Sequence, residues 1–302
     1  MNILSLFDGI SCGQVGAVRA GIKIDKYYAS EVNKHTITVT QDNYPNTIQL
    51  GDISKLNADV LPEIELLMGG SPCQGFSFAG KQLNFDDVRS KLFFEYVRLL
   101  NEVNPKYFLL ENVKMKKEYQ DIISKYLGVE PIEINSSLVS AQNRVRLYWT
   151  NINGVEQPKD KNICLNDILE SNNFDFPGAI RGRQLNKGTI LGRRLNSEGH
   201  RDDYNKEVPI TQCLEVRATN TNKSNCLTTV EKDNVLTPLP IGRHPNAFKD
   251  RLPFRYYSAT EYCRLQTLPG NYTKSISDSQ AKKALGNGMT VDIIAHILSY
   301  IN

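Results

Sequence analysis

The sequence predicts an α/β fold, a mostly parallel sheet flanked by helices and interrupted by a smaller irregular or β-rich region. Three observations carry that expectation. Short apolar runs alternate with amphipathic stretches through the first half, the pattern of βαβ units. The texture changes near Asn151, and residues 171 to 250 are rich in Asn, Thr, Gly and Arg with little helical period. Helical texture then returns after about Arg255.

Taken in order, Ile3–Leu6, Ile24–Ala29, Ile64–Met68 and Tyr107–Leu110 are the clearest strand candidates. Ser90 to Val103 predicts a helix capped by Ser90, with Leu92, Tyr96, Leu99, Leu100 and Val103 on one core-facing stripe and Asn104-Pro105 as its stop. Thr260 to Leu268 and Met289 to Tyr300 are the later helices. The division expected is residues 1 to 150 for one domain, 151 to 254 for a second, and 255 to 302 for a segment whose last helix returns to the first.

Composition narrows the class. The chain has 302 residues, 40% hydrophobic and 23% charged, enough for a sizeable core. A net charge of +3 requires any basic surface to come from local clustering. The six cysteines show no CxxC spacing, and with four scattered histidines no metal site is expected. Such cysteines suit a reducing compartment; no apolar run reaches the ~20 residues of a membrane span, and the start lacks the features of a signal peptide. A soluble cytoplasmic protein is therefore expected.

Phe7-Asp8-Gly9-Ile10-Ser11-Cys12-Gly13 follows the first strand and opens a helix, where glycines allow close approach of a ligand. Glu31 follows the second strand and suits ribose hydroxyls, while Asp52, beside Gly51, suits an adenine amino group. Loop, Glu and Asp in this order point to a nucleoside cofactor. Ser71-Pro72-Cys73-Gln74 places a thiol just past an apolar strand, and Glu111-Asn112-Val113 brings a carboxyl group to the same sheet edge. An acid opposite a thiolate suits attack on a ring that then needs a proton or hydrogen bond at nitrogen. Gln142 to Trp149 alternates as a strand does, so Arg144 and Arg146 share one face.

Together these segments resemble the bacterial and phage DNA cytosine-5 methyltransferase family. The first loop is similar to the family's cofactor motif, Ser71 to Gln74 to its Pro-Cys motif, Phe108 to Val113 to its Glu-Asn-Val motif, and Gln142 to Arg146 to its QxRxR element. Glu261 to Pro269 resembles ExxRxxxxP, and Leu285-Gly286-Asn287-Gly288-Met289 resembles the motif that returns to the cofactor pocket. The resemblance implies a Rossmann-like S-adenosylmethionine-dependent methyltransferase fold with a target-recognition domain. It implies Cys73 as nucleophile, Glu111 at N3, and Arg146 with Arg144 at the O2 side of a flipped cytosine. For S-adenosyl-L-methionine it implies Phe7, Asp8, Gly9, Ile10, Gly13, Glu31, Val32, Asp52, Ile53, Pro72, Leu92, Asn287 and Met289.

For DNA it implies Ser77, Gln82 and Arg89 in a mobile loop, then a basic cluster including Arg181, Arg183, Lys187, Arg193, Arg194 and Arg201. Arg217, Thr219, Asn220, Thr221 and Lys223 form a second group. Double-stranded DNA is the implied partner of a monomer, with or without a separately encoded restriction endonuclease. The rival reading on the same scaffold is a tRNA methyltransferase, whose Cys-Phe-Thr signature is absent here.

Overall fold

In the computed structural model the described residues are 1–71, 88–170, 186–198, 202, 204–216, 223–230, 234–246, 248 and 250–301. The chain builds β1 (Asn2–Leu6), α1 (Cys12–Arg19), β2 (Lys26–Ser30), α2 (Lys34–Asn43), β3 (Ile48–Gln49), β4 (Leu66–Gly70), α3 (Val88–Val103), β5 (Tyr107–Val113) and α4 (Lys117–Leu127). β6 (Ile132–Asn135), β7 (Val145–Thr150) and α5 (Leu165–Ile168) follow. A second set, β8 (Asn186–Arg194), β9 (Ile210–Val216), β10 (Val235–Thr237), β11 (Gly242–His244) and β12 (Arg255–Tyr256), precedes α6 (Ala259–Leu265), α7 (Asp278–Asn287) and α8 (Val291–Leu298).

The first sheet has seven strands in the order β3-β2-β1-β4-β5-β7-β6. β3 through β5 run parallel, and the β7–β6 hairpin joins antiparallel. The parallel strands read as continuous apolar runs because both faces are covered. Alternate residues go to opposite layers: Ile3, Met68 and Leu109 face the layer containing α1 and α8, while Leu4, Leu67 and Leu110 face the layer containing α3 and α4. Chain order reverses between β1 and β4, so their carboxyl ends form the switch point where α/β sheets bind ligands. The smaller sheet, β11-β9-β8-β10-β12, is antiparallel over a core of Ile190, Leu214, Val216 and Val235.

Several expectations shift. The predicted second and third strands begin two residues later, at Lys26 and Leu66, because Ile24 and Ile64 precede the ladder. α3 starts at Val88, so Ser90 lies inside it and does not cap it. It ends at Val103, with Asn104 at a φ of +44°. α7 was not anticipated; its Ala281, Ala284 and Leu285 supply a narrow buried stripe beneath a polar surface.

Two close approaches fix the last helices. A Cβ at Gly16 in α1 would stand 2.7 Å from Ile294 in α8, so glycine lets the two helices touch. A Cβ at Gly286 would stand 2.3 Å from the carbonyl oxygen of Thr228, a backbone atom that cannot swing away. Gly286→Ala is therefore expected to lower folding stability by on the order of 3 kcal/mol, the upper range for overpacking. Denaturant unfolding beside the wild type checks this, and an unchanged midpoint would contradict the close approach.

Candidate active site

The turn after β1 builds the floor of the site. Phe7 and Ser11 both have left-handed φ values, +55° and +56°, unusual for residues with side chains. Asp8 holds that turn together: its buried carboxylate accepts hydrogen bonds from the Ser11 hydroxyl and from Tyr27 Oη at 2.8 Å. Burial raises the Asp8 pKa above its ordinary value, against those hydrogen bonds. Glu31, just past β2, accepts from the Gly9 N–H at 2.8 Å and from Val32 and Asn33 N–H at 2.8 Å each, which locks the β1 and β2 ends together. Asp52 caps a short turn, where the Ser54 hydroxyl and N–H hold its carboxyl below the usual range.

On the other side of the switch point, register does the placing. Glu111 in β5 lies directly beside Gly70, the last residue of β4. A Cβ at Gly70 would stand 3.3 Å from Glu111 Oε2 and 3.4 Å from Met289 Cε, so glycine keeps this corner open. The Asn112 side-chain amide donates to Ser71 Oγ at 3.1 Å, pinning the exit from β4. Arg146 in β7 forms an ion pair with Glu111, Nε to Oε1 at 3.0 Å. The contact is one of charge, for Glu111 Oε1 is buried without a hydrogen-bond partner. Burial works against the Arg146 charge, but Glu111 and its other neighbours hold the Arg146 pKa above its ordinary value.

One cavity of about 500 Å³ joins both halves. Phe7, Asp8, Gly9, Glu31, Val32, Asp52, Ile53, Leu92, Asn287 and Met289 line it together with Glu111, Arg144 and Arg146. Val32 is 71% exposed at the rim, an apolar face without a partner surface. Ile10 and Gly13 do not line it. Ile10 is 1% exposed in the core, and Gly13 packs behind the turn against Met68 and Tyr27.

Arg144 departs from its expected contact with substrate. It is 3% exposed, and its terminal nitrogens donate to the carbonyls of Leu227 at 3.0 Å and Gly288 at 2.8 Å. It braces the cavity wall. Lys223 is likewise no free cation: its buried amine donates to the carbonyls of Ser137, Ser140 and Ile163. Arg193 pairs with Glu215 at 3.2 Å, a carboxylate shared with Arg243 at 3.4 Å, and Arg194 lies on the same strand. Pro72, Cys73, Ser77, Gln82, Arg181, Arg183, Arg201, Arg217, Thr219, Asn220 and Thr221 lie outside the described residues, as does the side chain of Arg89.

Cys12, Ser71 and Asn112, which the motifs contain without a role of their own, also line the cavity, and so do Gln280 and Lys283, which the sequence reading missed. Gln280 and Lys283 precede Asn287 by seven and four positions on α7, so a helical period run back from Asn287 would have found them. Among the described residues no group of histidine, cysteine and acidic side chains could hold a metal, and no helix is long and apolar enough to cross a membrane.

This architecture is shared with known methyltransferases. The chain superposes on a putative DNA modification methyltransferase encoded within an E. coli prophage with a TM-score of 0.67, at 21% identity over 99% of this chain and 98% of that one. The Entamoeba histolytica methyltransferase EhMeth gives a TM-score of 0.72 at 16% identity, covering 99% and 97%. The fold is thus that of the methyltransferases. A model of the C-5 cytosine-specific DNA methylases matches residues 1–302, and the chain belongs to that family. It is 30% identical to the type II methyltransferase M1.ScrFI of Lactococcus lactis subsp. cremoris over 97% of this chain and 76% of that enzyme. Its match to the orphan methyltransferase M.Rho11sI of Bacillus phage rho11s is 40% identical, covering 65% of this chain and 39% of that enzyme.

Cys12 is the one cysteine lining the cavity among the described residues, and burial pushes its thiol up to about 12. It stays protonated and poorly nucleophilic near neutrality. Iodoacetamide at pH 8 is expected to leave Cys12 unmodified in the folded protein, as read by peptide mass mapping. Labelling of Cys12 at the rate of a free thiol would contradict that burial.

Proposed function

We propose that the chain methylates C5 of a cytosine flipped out of a short specific sequence in duplex DNA, with S-adenosyl-L-methionine as methyl donor and Cys73 as nucleophile. The observation that carries this reading is the continuity of the cavity. It runs from the strand-end carboxylates Glu31 and Asp52 to the Glu111–Arg146 pair, so a nucleoside cofactor and a base fit in contact. Phe7, Val32, Ile53 and Leu92 offer apolar walls for a purine, Glu31 suits ribose hydroxyls, and Asp52 suits the adenine amino group. When bound, S-adenosyl-L-methionine supplies an electrophilic methyl group on a sulfonium.

C5 of cytosine is a weak nucleophile until a group adds across the 5,6 bond, and a stacked base is out of reach. In the proposed sequence the Cys73 thiolate forms a bond to C6, and the displaced electrons load onto N3. Glu111 gives N3 a proton as those electrons arrive, and Arg146, ion-paired with Glu111, holds the O2 side. Arg144 keeps the wall behind Arg146 in place through the Leu227 and Gly288 carbonyls. C5 takes the methyl group, leaving the donor as the neutral thioether S-adenosylhomocysteine. Loss of the C5 proton to a solvent base, return of the N3 proton to Glu111 and expulsion of the Cys73 thiolate restore the ring. Cys73 follows Ser71 by two Cα steps of ~3.8 Å each, which bounds its distance from the cavity wall.

In the same reading residues 1 to 150 form the catalytic domain, 151 to 254 the target-recognition domain and 255 to 302 a segment whose last helix returns to the catalytic domain. Arg193 and Arg194 on β8, with Arg89, Arg181, Arg183 and Arg217, are the proposed DNA contacts, alongside Ser77 and Gln82. The enzyme would act as a cytoplasmic monomer, alone or beside a restriction endonuclease.

Bisulfite sequencing of DNA from a methylation-free host expressing the chain tests the reaction. Methylated cytosines at one short motif are expected, with none in a Cys73→Ala control. Glu111→Gln is expected to lower kcat by roughly 10²-fold or more, the usual loss on removing an acid–base group. No DNA methylation by soluble wild-type protein, with labelled methyl groups found in RNA instead, would sink the DNA assignment.

A further inference from the structure

Cys226 stands outside every role assigned above, yet its thiol touches both arginines of the site. Its Sγ lies 3.4 Å from Arg144 Nη1 and 3.8 Å from Arg146 Nη2, each an N–H donor, and its own S–H donates to the Leu227 carbonyl at 3.4 Å. The remaining Arg146 nitrogens face Val145 O at 2.8 Å and Glu111 Oε1 at 3.0 Å. The thiol is therefore the third support of a guanidinium whose other two directions belong to its own strand and to Glu111.

Residues 223–230 are stitched firmly to the large sheet. Ser224 N–H donates to Ala141 O at 2.6 Å, Asn143 N–H donates to Ser224 O at 3.0 Å, and the Lys223 amine is anchored as described. On its other flank, Asn234 Nδ2 donates to Cys226 O at 3.2 Å one residue before β10 of the antiparallel sheet. Cys226 thus sits where the smaller sheet meets Arg144 and Arg146. Removing the sulfur leaves Arg146 Nη2 without that acceptor and lets the guanidinium turn about its remaining contacts.

We propose that Cys226 is a positioning residue, which fixes the Arg146 guanidinium for the O2 side of the base and couples the β9–β10 connection to the site. The proposal rests on the methyl-transfer reading above. A serine at this position can both donate and accept, and an alanine can do neither.

The test compares wild type, Cys226→Ser and Cys226→Ala on duplex DNA carrying the site found by bisulfite sequencing. Three quantities are read: kcat at saturating cofactor, the Kd of S-adenosylhomocysteine by calorimetry, and Tm. Cys226→Ala is expected to lower kcat about fivefold or more, as loss of a hydrogen bond to a charged group would. Its Kd should stay within about twofold, and its Tm within about 2 °C, of wild type. Cys226→Ser should recover at least about half of the wild-type rate. An alanine variant at the wild-type rate would overturn the proposal. So would equal losses in both variants accompanied by a fall in Tm, the mark of a packing role. A wild-type chain that binds S-adenosylhomocysteine but transfers no methyl group to DNA would overturn the functional reading and this proposal with it.

Discussion

Two fully buried glutamines, Gln142 and Gln266, form the contact on which the far half of the cavity depends. Gln142 Nε2 donates to Leu265 O at 2.6 Å and to Gln266 Oε1 at 3.0 Å, and Gln142 Oε1 accepts from Leu227 N–H at 3.3 Å. Gln266 Nε2 donates to Leu285 O at 2.7 Å and Gly288 O at 3.0 Å, while its Oε1 also accepts from Thr290 Oγ1 at 2.9 Å. Four pieces of chain distant in sequence meet there: the approach to β7, the end of α6, the α7–α8 turn and residues 224–227. Buried amides left unpaired would cost several kcal/mol in this setting, whereas a network this fully satisfied favours one arrangement over all others. The turn bearing Asn287 and Met289 is held by these bonds, and so are the carbonyls that Arg144 needs.

The near half relies on a different device. Phe7 and Ser11 are held in a left-handed conformation that neither side chain favours, and the strain is tolerated because Asp8 is buried beneath the turn with Ser11 and Tyr27 bonded to it. A carboxylate at this depth is itself disfavoured, which is why its pKa rises. The same burial keeps Cys12 protonated beside it. Desolvation therefore keeps the Cys12 thiol on the cavity wall a poor nucleophile.

Much of this was legible in the residues. Continuous apolar runs such as Leu66–Met68 announced strands covered on both faces, and Glu31, Asp52 and Glu111 stood where strand ends should be. What escaped was what depends on contacts between distant segments. Ile10 and Gly13 share a motif with Gly9 but do not line the cavity: Ile10 is buried in the core ahead of α1, and Gly13, in the first turn of α1, packs against Met68 and Tyr27. Arg144 and Lys223 read as free cations on a string of letters. Only the folded chain shows that backbone carbonyls from other segments occupy them. α7 was hidden by its narrow stripe of alanines, too weakly apolar to stand out by period alone.

Sheet register fixes where the acid and the arginine of the site stand. Glu111 beside Gly70, and Arg146 paired with Val113 across β5, are set by ladder bonds that hold throughout the interior of the sheet. The acid and the arginine are therefore preorganised before any substrate arrives, the condition under which fixed charges stabilise a developing charge without reorganising. Ser71, the residue after β4, is held to Asn112, in the same tripeptide as Glu111. A shift of β5 would move together Glu111 and the Asn112 amide that holds Ser71. A change at Asn112 would remove the hold on Ser71 and the bond its side chain accepts from Val113 N–H. The Glu-Asn-Val segment thus does two things through adjacent residues: Glu111 lines the cavity beside Arg146, and Asn112 holds Ser71 at the exit from β4.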